Sequence, residues 1–273
     1  MRNPGRSGLK PADLRPGRGA GPGTPPRKPG RSPDNKAKTH SVRTLSAGDS
    51  WSEEARTSLA AALAELQLPL DERACALLLD YLGQLQKWNA VYNLTAIRDP
   101  REMLVQHLFD CLAIIRPLRE QGLLGKNAVV LDVGSGGGLP GALIAIVEPG
   151  AQVHCVDTVS KKAAFITQLR AELSLPNLHA HHARVEQLVC PDDMPAASLI
   201  VSRAFSSLAQ FVSCSAHLLA PGGAWAAMKG RLPDDELAEL PADVQVATPI
   251  TLRVPKLDAV RHLLILRRGG SPA

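Results

Sequence analysis

Aromatic side chains make up only 3% of the 273 residues. That argues against a broad stacking platform for single-stranded nucleic acid, so a polynucleotide would have to be held by shape and phosphate contacts. Cysteine is scarce as well. Cys75, Cys111, Cys155, Cys190 and Cys214 are isolated and odd in number, with no Cys-x-x-Cys pair. They argue against a disulfide framework and read as small apolar residues of a reducing compartment. No apolar run approaches the roughly 18–20 residues needed to cross a bilayer, and no charged segment leads into an apolar stretch near Met1. The chain therefore reads as soluble and cytoplasmic, with no membrane partner. His179, His181 and His182 cluster, but no Cys or carboxylate stands at a ligand-like spacing from them, so no metal site is expected.

Charge is unevenly placed. The formal net charge is +5, yet residues 1–50 hold 11 Lys/Arg against 3 Asp/Glu, leaving the remainder at −3. Those fifty residues also carry eight Gly and eight Pro and no apolar period. They cannot offset their ordering entropy by burial, so 1–50 reads as a disordered basic Pro/Gly/Arg-rich extension. Three helical stretches follow, Ser52–Leu66, Asp71–Lys87 and Pro100–Leu118, with apolar residues at helical spacing such as Leu77, Leu78, Tyr81, Leu82 and Leu85. From Asn127 the texture changes to short β-branched runs. Candidate strands are Ala128–Val133, Gln152–Asp157, Leu178–His182, Ser198–Ser202, Gly223–Met228, Val244–Leu252 and His262–Leu266. Segments of crossover length (Pro140–Val147, Ser160–Leu173, Ser206–Leu219) separate most of them, which predicts an α/β fold with a mostly parallel sheet. No crossover fits between the last two strands, so an antiparallel edge is expected there.

The run from Val129 to Gly141, VVLDVGSGGGLPG, is a buried strand, a glycine turn and a helix start. Glycine suits such a turn because the backbone takes positive φ and a ligand must approach without a Cβ in the way. Two ligand classes compete for it. Gly136, Gly138 and Gly141 satisfy the dinucleotide G-x-G-x-x-G, and Asp157 follows at about the distance of a ribose-binding acid, which points to an NAD-dependent oxidoreductase. Alternatively Gly134, Gly136 and Gly138 form G-x-G-x-G after an acidic strand, with Asp157 taking both ribose hydroxyls of S-adenosylmethionine. Asp132 favours the second, because a carboxylate one turn from the helix N-terminus repels a pyrophosphate but suits a sulfonium.

A series of motifs in order carries a family resemblance: Trp88-Asn89 with Asn93-Leu94-Thr95, His107-x-x-Asp110, Asp132 to Gly141, Asp157 with Lys161, Arg184-Val185-Glu186, Ser202-Arg203-Ala204-Phe205 and Met228-Lys229-Gly230. Over about residues 60–268 the chain resembles the GidB/RsmG ribosomal RNA methyltransferases. The resemblance implies a class I S-adenosylmethionine-dependent methyltransferase fold, Rossmann-like with a seven-stranded, mostly parallel sheet. It implies a helical N-terminal cap, which the chain's own pattern places over 51–120 with the methyltransferase domain over 121–273; 51–273 is expected to be one compact unit and the protein a monomer. The implied reaction is methyl transfer to N7 of a single guanine of 16S rRNA in the decoding region. The partner would be the small ribosomal subunit or an assembly intermediate. Cofactor contacts carried over from the family are Gly134, Leu139, Val185, Glu186 and Arg203. Asp157 joins them on the ribose argument, and Gly136, Gly138 and Asp132 by their place in the loop. Cys111 stands where the family tends to have Ser, and Ala259-Val260 where a polar pair is usual.

N7 of neutral guanine carries a lone pair, so its methylation needs no general base, and no catalytic residue is assigned. The chain has no Asn/Asp-Pro-Pro-aromatic motif of the exocyclic-amine enzymes and no Pro-Cys nucleophile. Lys161, Lys162 and Lys229 are candidates for phosphate contacts. Trp88, Tyr92 and Phe205 are expected in the core. His107 and Asp110, three apart on one helix face, are expected to hydrogen-bond locally and brace the cap, and the resemblance makes that brace equally a candidate substrate-side element.

Overall fold

Alternation of β-branched runs with amphipathic segments does give a parallel sheet wound by helices. A computed structural model describes residues 52–203, 205 and 207–270. The expected extension over 1–50 lies outside the described residues, as does Ala204.

The described part begins with α1 (Glu53–Glu65), capped by the Ser52 hydroxyl, and α2 (Glu72–Tyr92), whose N-cap Asp71 accepts the Ala74 N–H at 2.7 Å. α2 runs five residues beyond the predicted Lys87 and stops where Asn93 turns left-handed at φ 51°. That extension corrects one expectation: Tyr92 sits at the helix end, 43% exposed and 5.0 Å from the Trp88 ring. Trp88 and Phe205 are partly buried against the core.

The third helical stretch is not one α-helix. α3 (Pro100–Met103) leads into a π-helical segment, Leu104–Phe109, then α4 (Asp110–Leu112), and after a break at Ala113–Ile114 comes α5 (Ile115–Glu120). Within it the Asp110 N–H reaches back to Val105 O rather than Gln106 O.

Strands β1 (Val129–Val133), β2 (Gln152–Asp157), β3 (Leu178–His182), β4 (Ala197–Ser202) and β5 (Leu219–Lys229) are parallel, in the order β3-β2-β1-β4-β5. Helices α6 (Gly141–Val147) and α7 (Ser160–Glu172) follow β1 and β2, and α8 (Leu208–Ser215) precedes β5. A short α9 (Asp234–Ala238), not foreseen, follows β5. β8 (Arg261–Arg268) is antiparallel to β5 and, as expected for the last two candidate strands, to the run Val244–Leu252 that precedes it. The run Val244–Leu252 forms two short strands, β6 (Val244–Val246) and β7 (Ile250–Leu252), both on β8, so the sheet has eight strands rather than seven. Pro249 falls in the gap, and a proline cannot donate to the ladder.

Alternate strand residues face two layers. Val153, Cys155, Leu199 and Val201 pack with α2, α6 and α7, while Val133, Val156, Ile200 and Trp225 pack with α8. The Trp225 indole N–H, fully buried, is satisfied by Ser215 Oγ at 3.0 Å. In this strand order the chain reverses direction across the sheet between β1 and β4, which opens a crevice at their carboxyl ends.

Candidate functional site

β1 ends at that crevice, and the glycine loop turns there. Gly134 and Gly136 have φ of +68° and +58°, and a Cβ on Gly134 would meet nothing within 4 Å. This is backbone left bare toward open space. Gly138, also at positive φ, is different: its Cβ would stand 3.0 Å from Ala142 Cβ, so it serves the close seating of α6. At Gly141 a Cβ would fall 2.5 Å from Cys155 Sγ and 2.9 Å from Asp132 Oδ2.

Five amides of the loop are engaged within the chain. Gly134 and Ser135 donate to Val156 O, Gly138 and Leu139 to Ser135 O, and Gly136 to Asp157 Oδ2 at 2.9 Å. The first amide of α6, Gly141 N–H, donates to Asp132 Oδ2 at 2.8 Å. A pyrophosphate needs free N–H groups at that helix end. Here a carboxylate already holds it, so the dinucleotide reading loses its anchor, whereas a phosphate-free nucleotide keeps the open space over Gly134.

Asp132 is fully buried and its Oδ1 has no hydrogen-bond partner among the described residues. Burial pushes its carboxyl up to about 7, against the lowering effect of the Gly141 bond. It sits beneath the loop and fastens it, rather than facing a ligand as the sulfonium argument pictured. Asp157 is also more engaged than the sequence suggests: Oδ1 accepts from Val159 N–H at 2.9 Å, and Lys162 Nζ lies 3.5 Å from Oδ2. A carboxylate has about four acceptor positions, so two N–H bonds leave capacity for hydroxyls.

Beyond β3, Val185 is buried and Glu186 exposed in a single 3-10 turn, with Arg184 Nη2 3.2 Å from Glu186 Oε1. The Glu186 backbone N–H holds its own carboxyl below the usual range. Leu139 is buried at the loop. Arg203 follows β4, where Ser202 Oγ ties that strand end to Val133 O at 2.9 Å. The predicted residues thus follow the carboxyl ends of β1 to β4, and among the described residues only the Asp157 side chain is bonded to another of the set, Gly136.

Arg203 reaches into the cap. Its Nη1 donates to Gln106 O at 3.0 Å, approaches His107 Nδ1 at 3.4 Å and lies 3.8 Å from Asp110 Oδ2. His107 Nε2 is 2.9 Å from Thr95 Oγ1, and Asp110 Oδ1 accepts from Arg261 Nε at 3.0 Å. The expected local His107–Asp110 bond is therefore replaced by two long-range ones, since the π segment widens the turn between them and loses the α-helical alignment. Burial, then Arg203, lowers His107 to about 4, so the ring is neutral.

Two lysine expectations change as well. Lys229 Nζ is 2.7 and 2.9 Å from the Glu236 oxygens, and Glu236 also accepts the Leu208 N–H at the start of α8. Lys229 is thus a strut from the end of β5 to α9, and Glu236 joins both to the start of α8. Lys162 is drawn to Asp157, while Lys161 is exposed. His154, His179 and His181 stack with centroids 4.7 and 5.1 Å apart, and among the described residues no group suited to a metal is present. Sequence reasoning missed Tyr81, whose hydroxyl donates to Gly137 O at 2.8 Å from within α2. Its place in the apolar stripe concealed it.

A parallel sheet in this order with an antiparallel last strand, and a glycine loop between β1 and α6 whose first helical amide is held by an acid, define a class I S-adenosylmethionine-dependent methyltransferase fold. The pattern of the GidB family, rRNA small subunit methyltransferase G, matches residues 74–264, and the chain belongs to that family. A protein of Leptothrix cholodnii named Ribosomal RNA small subunit methyltransferase G is 54% identical over 213 residues, 78% of this chain and 95% of the relative. Proteins of the same name from Acidovorax ebreus (52% identical; 77% of this chain, 96% of the relative) and Burkholderia cenocepacia (55%; 73% and 86%) are similar as well.

Proposed function

We propose that this chain methylates N7 of a single guanine in the decoding region of 16S ribosomal RNA, on the small subunit or an assembly intermediate, with S-adenosylmethionine as donor. The observation that carries the cofactor half is the bare backbone at Gly134 beside an α6 N-terminus already closed by Asp132. The RNA half is supported by family membership and by the name its relatives share.

Bound S-adenosylmethionine supplies an electrophilic methyl group on a positively charged sulfur. In this reading Gly134 and Gly136 admit the ligand against the backbone, and Asp157 offers its remaining acceptor positions to the ribose hydroxyls. Leu139, Val185 and Glu186 border the same ligand from the loop and the turn after β3. Arg203 and Arg261 share the single charge of Asp110, so the cluster keeps one positive charge to attract an amino-acid carboxylate.

No proton has to leave guanine N7, so the protein's task is alignment, which contributes about 7–11 kcal/mol in well-oriented cases. Neither buried candidate is placed as a base: His107 has both ring nitrogens engaged and Asp132 lies under the loop. The test is methyl transfer from labelled S-adenosylmethionine to small subunits taken from a strain lacking the gene. Label at one guanine N7 supports the reading, and label elsewhere, or none, overturns it.

A further inference from the structure

Arg203 is held by three acceptors on one stretch of the cap: Gln106 O, His107 Nδ1 and Asp110 Oδ2. The first is available because the Asp110 amide, its partner in an ordinary α-helix, bonds Val105 O across the π turn. The second requires one particular state of the imidazole. A guanidinium has donors and no acceptor, so the nitrogen it faces must carry a lone pair.

Nδ1 of His107 is then unprotonated, and the proton of the neutral ring sits on Nε2, from which it donates to Thr95 Oγ1. Thr95 cannot drift to release it. Its backbone N–H donates to Asn89 Oδ1 at 2.9 Å, its hydroxyl accepts the Ile97 N–H at 3.2 Å, and Asn89 Nδ2 donates to Ile97 O at 3.2 Å. Asn89 and His107 are both buried. The relay Asn89–Thr95–His107–Arg203 therefore runs from the end of α2 to the residue after β4 and fixes the imidazole from both sides.

Resting on the reading of Arg203 as a cofactor contact, we infer that His107 is a positioning residue: locked as the Nε2–H tautomer, it turns its Nδ1 lone pair to Arg203 and so orients that guanidinium for the carboxylate of the cofactor's amino-acid arm. The π turn supplies the other half of the clamp through Gln106 O. His107 touches no reacting atom. Its effect is confined to the part of the ligand that Arg203 holds.

That confinement makes the test selective. In the full chain labelled with nitrogen-15, the His107 ring should show a lone-pair nitrogen at Nδ1 and a protonated one at Nε2; a protonated Nδ1 overturns the inference. Calorimetry then compares S-adenosylhomocysteine, which carries the carboxylate, with 5′-methylthioadenosine, which lacks it. His107→Gln places its amide at the Nε2 end and abandons Arg203. It should weaken S-adenosylhomocysteine by ~10-fold, the loss of one hydrogen bond to a charged group, and leave 5′-methylthioadenosine unchanged. His107→Asn places an acceptor where Nδ1 was and should recover most of that loss. Equal weakening by both variants, or parallel weakening of both ligands, shows a merely structural role and overturns the inference. Arg203→Ala separates the two readings: undiminished S-adenosylhomocysteine affinity in that variant refutes the Arg203 contact itself, and with it this role for His107.

Discussion

The backbone N–H of Gly136 donates to the Asp157 carboxylate at 2.9 Å, joining the glycine turn after β1 to the end of β2. The same carboxylate accepts from Val159 N–H, so it shapes the crevice before any ligand enters. Asp157→Ala should leave both amides without that partner and cost about 1–3 kcal/mol. It should also weaken S-adenosylhomocysteine binding. Urea unfolding and calorimetry on the same preparation check both effects, and a variant unchanged in either one would contradict this double role.

Two glycines of the loop should fail in opposite ways. Gly134→Val adds a side chain where nothing lies within 4 Å, so cofactor binding should vanish while the fold survives, at a cost of about 1–2 kcal/mol for the left-handed backbone. Gly141→Ala drives a Cβ to 2.5 Å from Cys155 Sγ, and should lower the melting temperature before it touches affinity. Thermal melts with and without S-adenosylhomocysteine distinguish the two, and a Gly134→Val variant with normal affinity would misplace the site.

Stability should depend on pH through buried groups of opposite sign. Burial lowers His107 to about 4 and His154 to about 3 from 6.5, so below pH 6.5 the unfolded chain takes up protons that the folded chain does not, and stability falls as pH falls. Asp132, raised from 3.8 to about 7, works the other way: between these values the folded chain holds a proton that the unfolded chain has lost, and stability falls as pH rises. In the window from about pH 4 to 6.5, His154→Leu should therefore remove about one proton of acid sensitivity, and Asp132→Asn should add about one. Each proton corresponds to a slope of about 1.4 kcal/mol per pH unit. Urea midpoints across that window give the slopes, and a His154→Leu variant with the parent slope would show that the histidine stack is not the source.

Lys229 offers a test of strut against RNA contact. With both Glu236 oxygens within 2.9 Å of Nζ, Lys229→Met should destabilise the protein. It should leave the salt dependence of RNA binding unaltered, because a residue contacting phosphate would reduce the slope by about one. A reduced slope with unchanged stability would assign Lys229 to the RNA surface instead.

What could be read in the sequence was local. β1, the turn and α6 announce themselves because glycine positions and β-branched runs are decided within a dozen residues, and Asp157 could be placed because a strand end lies at a fixed distance from the loop. The clamp on Arg203 could not be read. It joins His107 to a residue 96 positions away and Asp110 to one 151 positions away, and the helical spacing that suggested a His107–Asp110 pair assumes a regular turn that the π segment interrupts. Lys229 looked free because Glu236 lies on α9, a five-residue helix too short to show an apolar period. Asp132 is legible as an acid in the strand before the loop, but its burial under Gly141 belongs to packing, which spacing does not reveal.

The most direct measurement is the position of a labelled methyl group after the purified chain acts on small subunits from a strain lacking its gene. Digestion and mass mapping should find it on N7 of one guanine in the decoding region of 16S rRNA. Label on an exocyclic amine, on a pyrimidine or on many scattered guanines would contradict an enzyme that works by alignment alone.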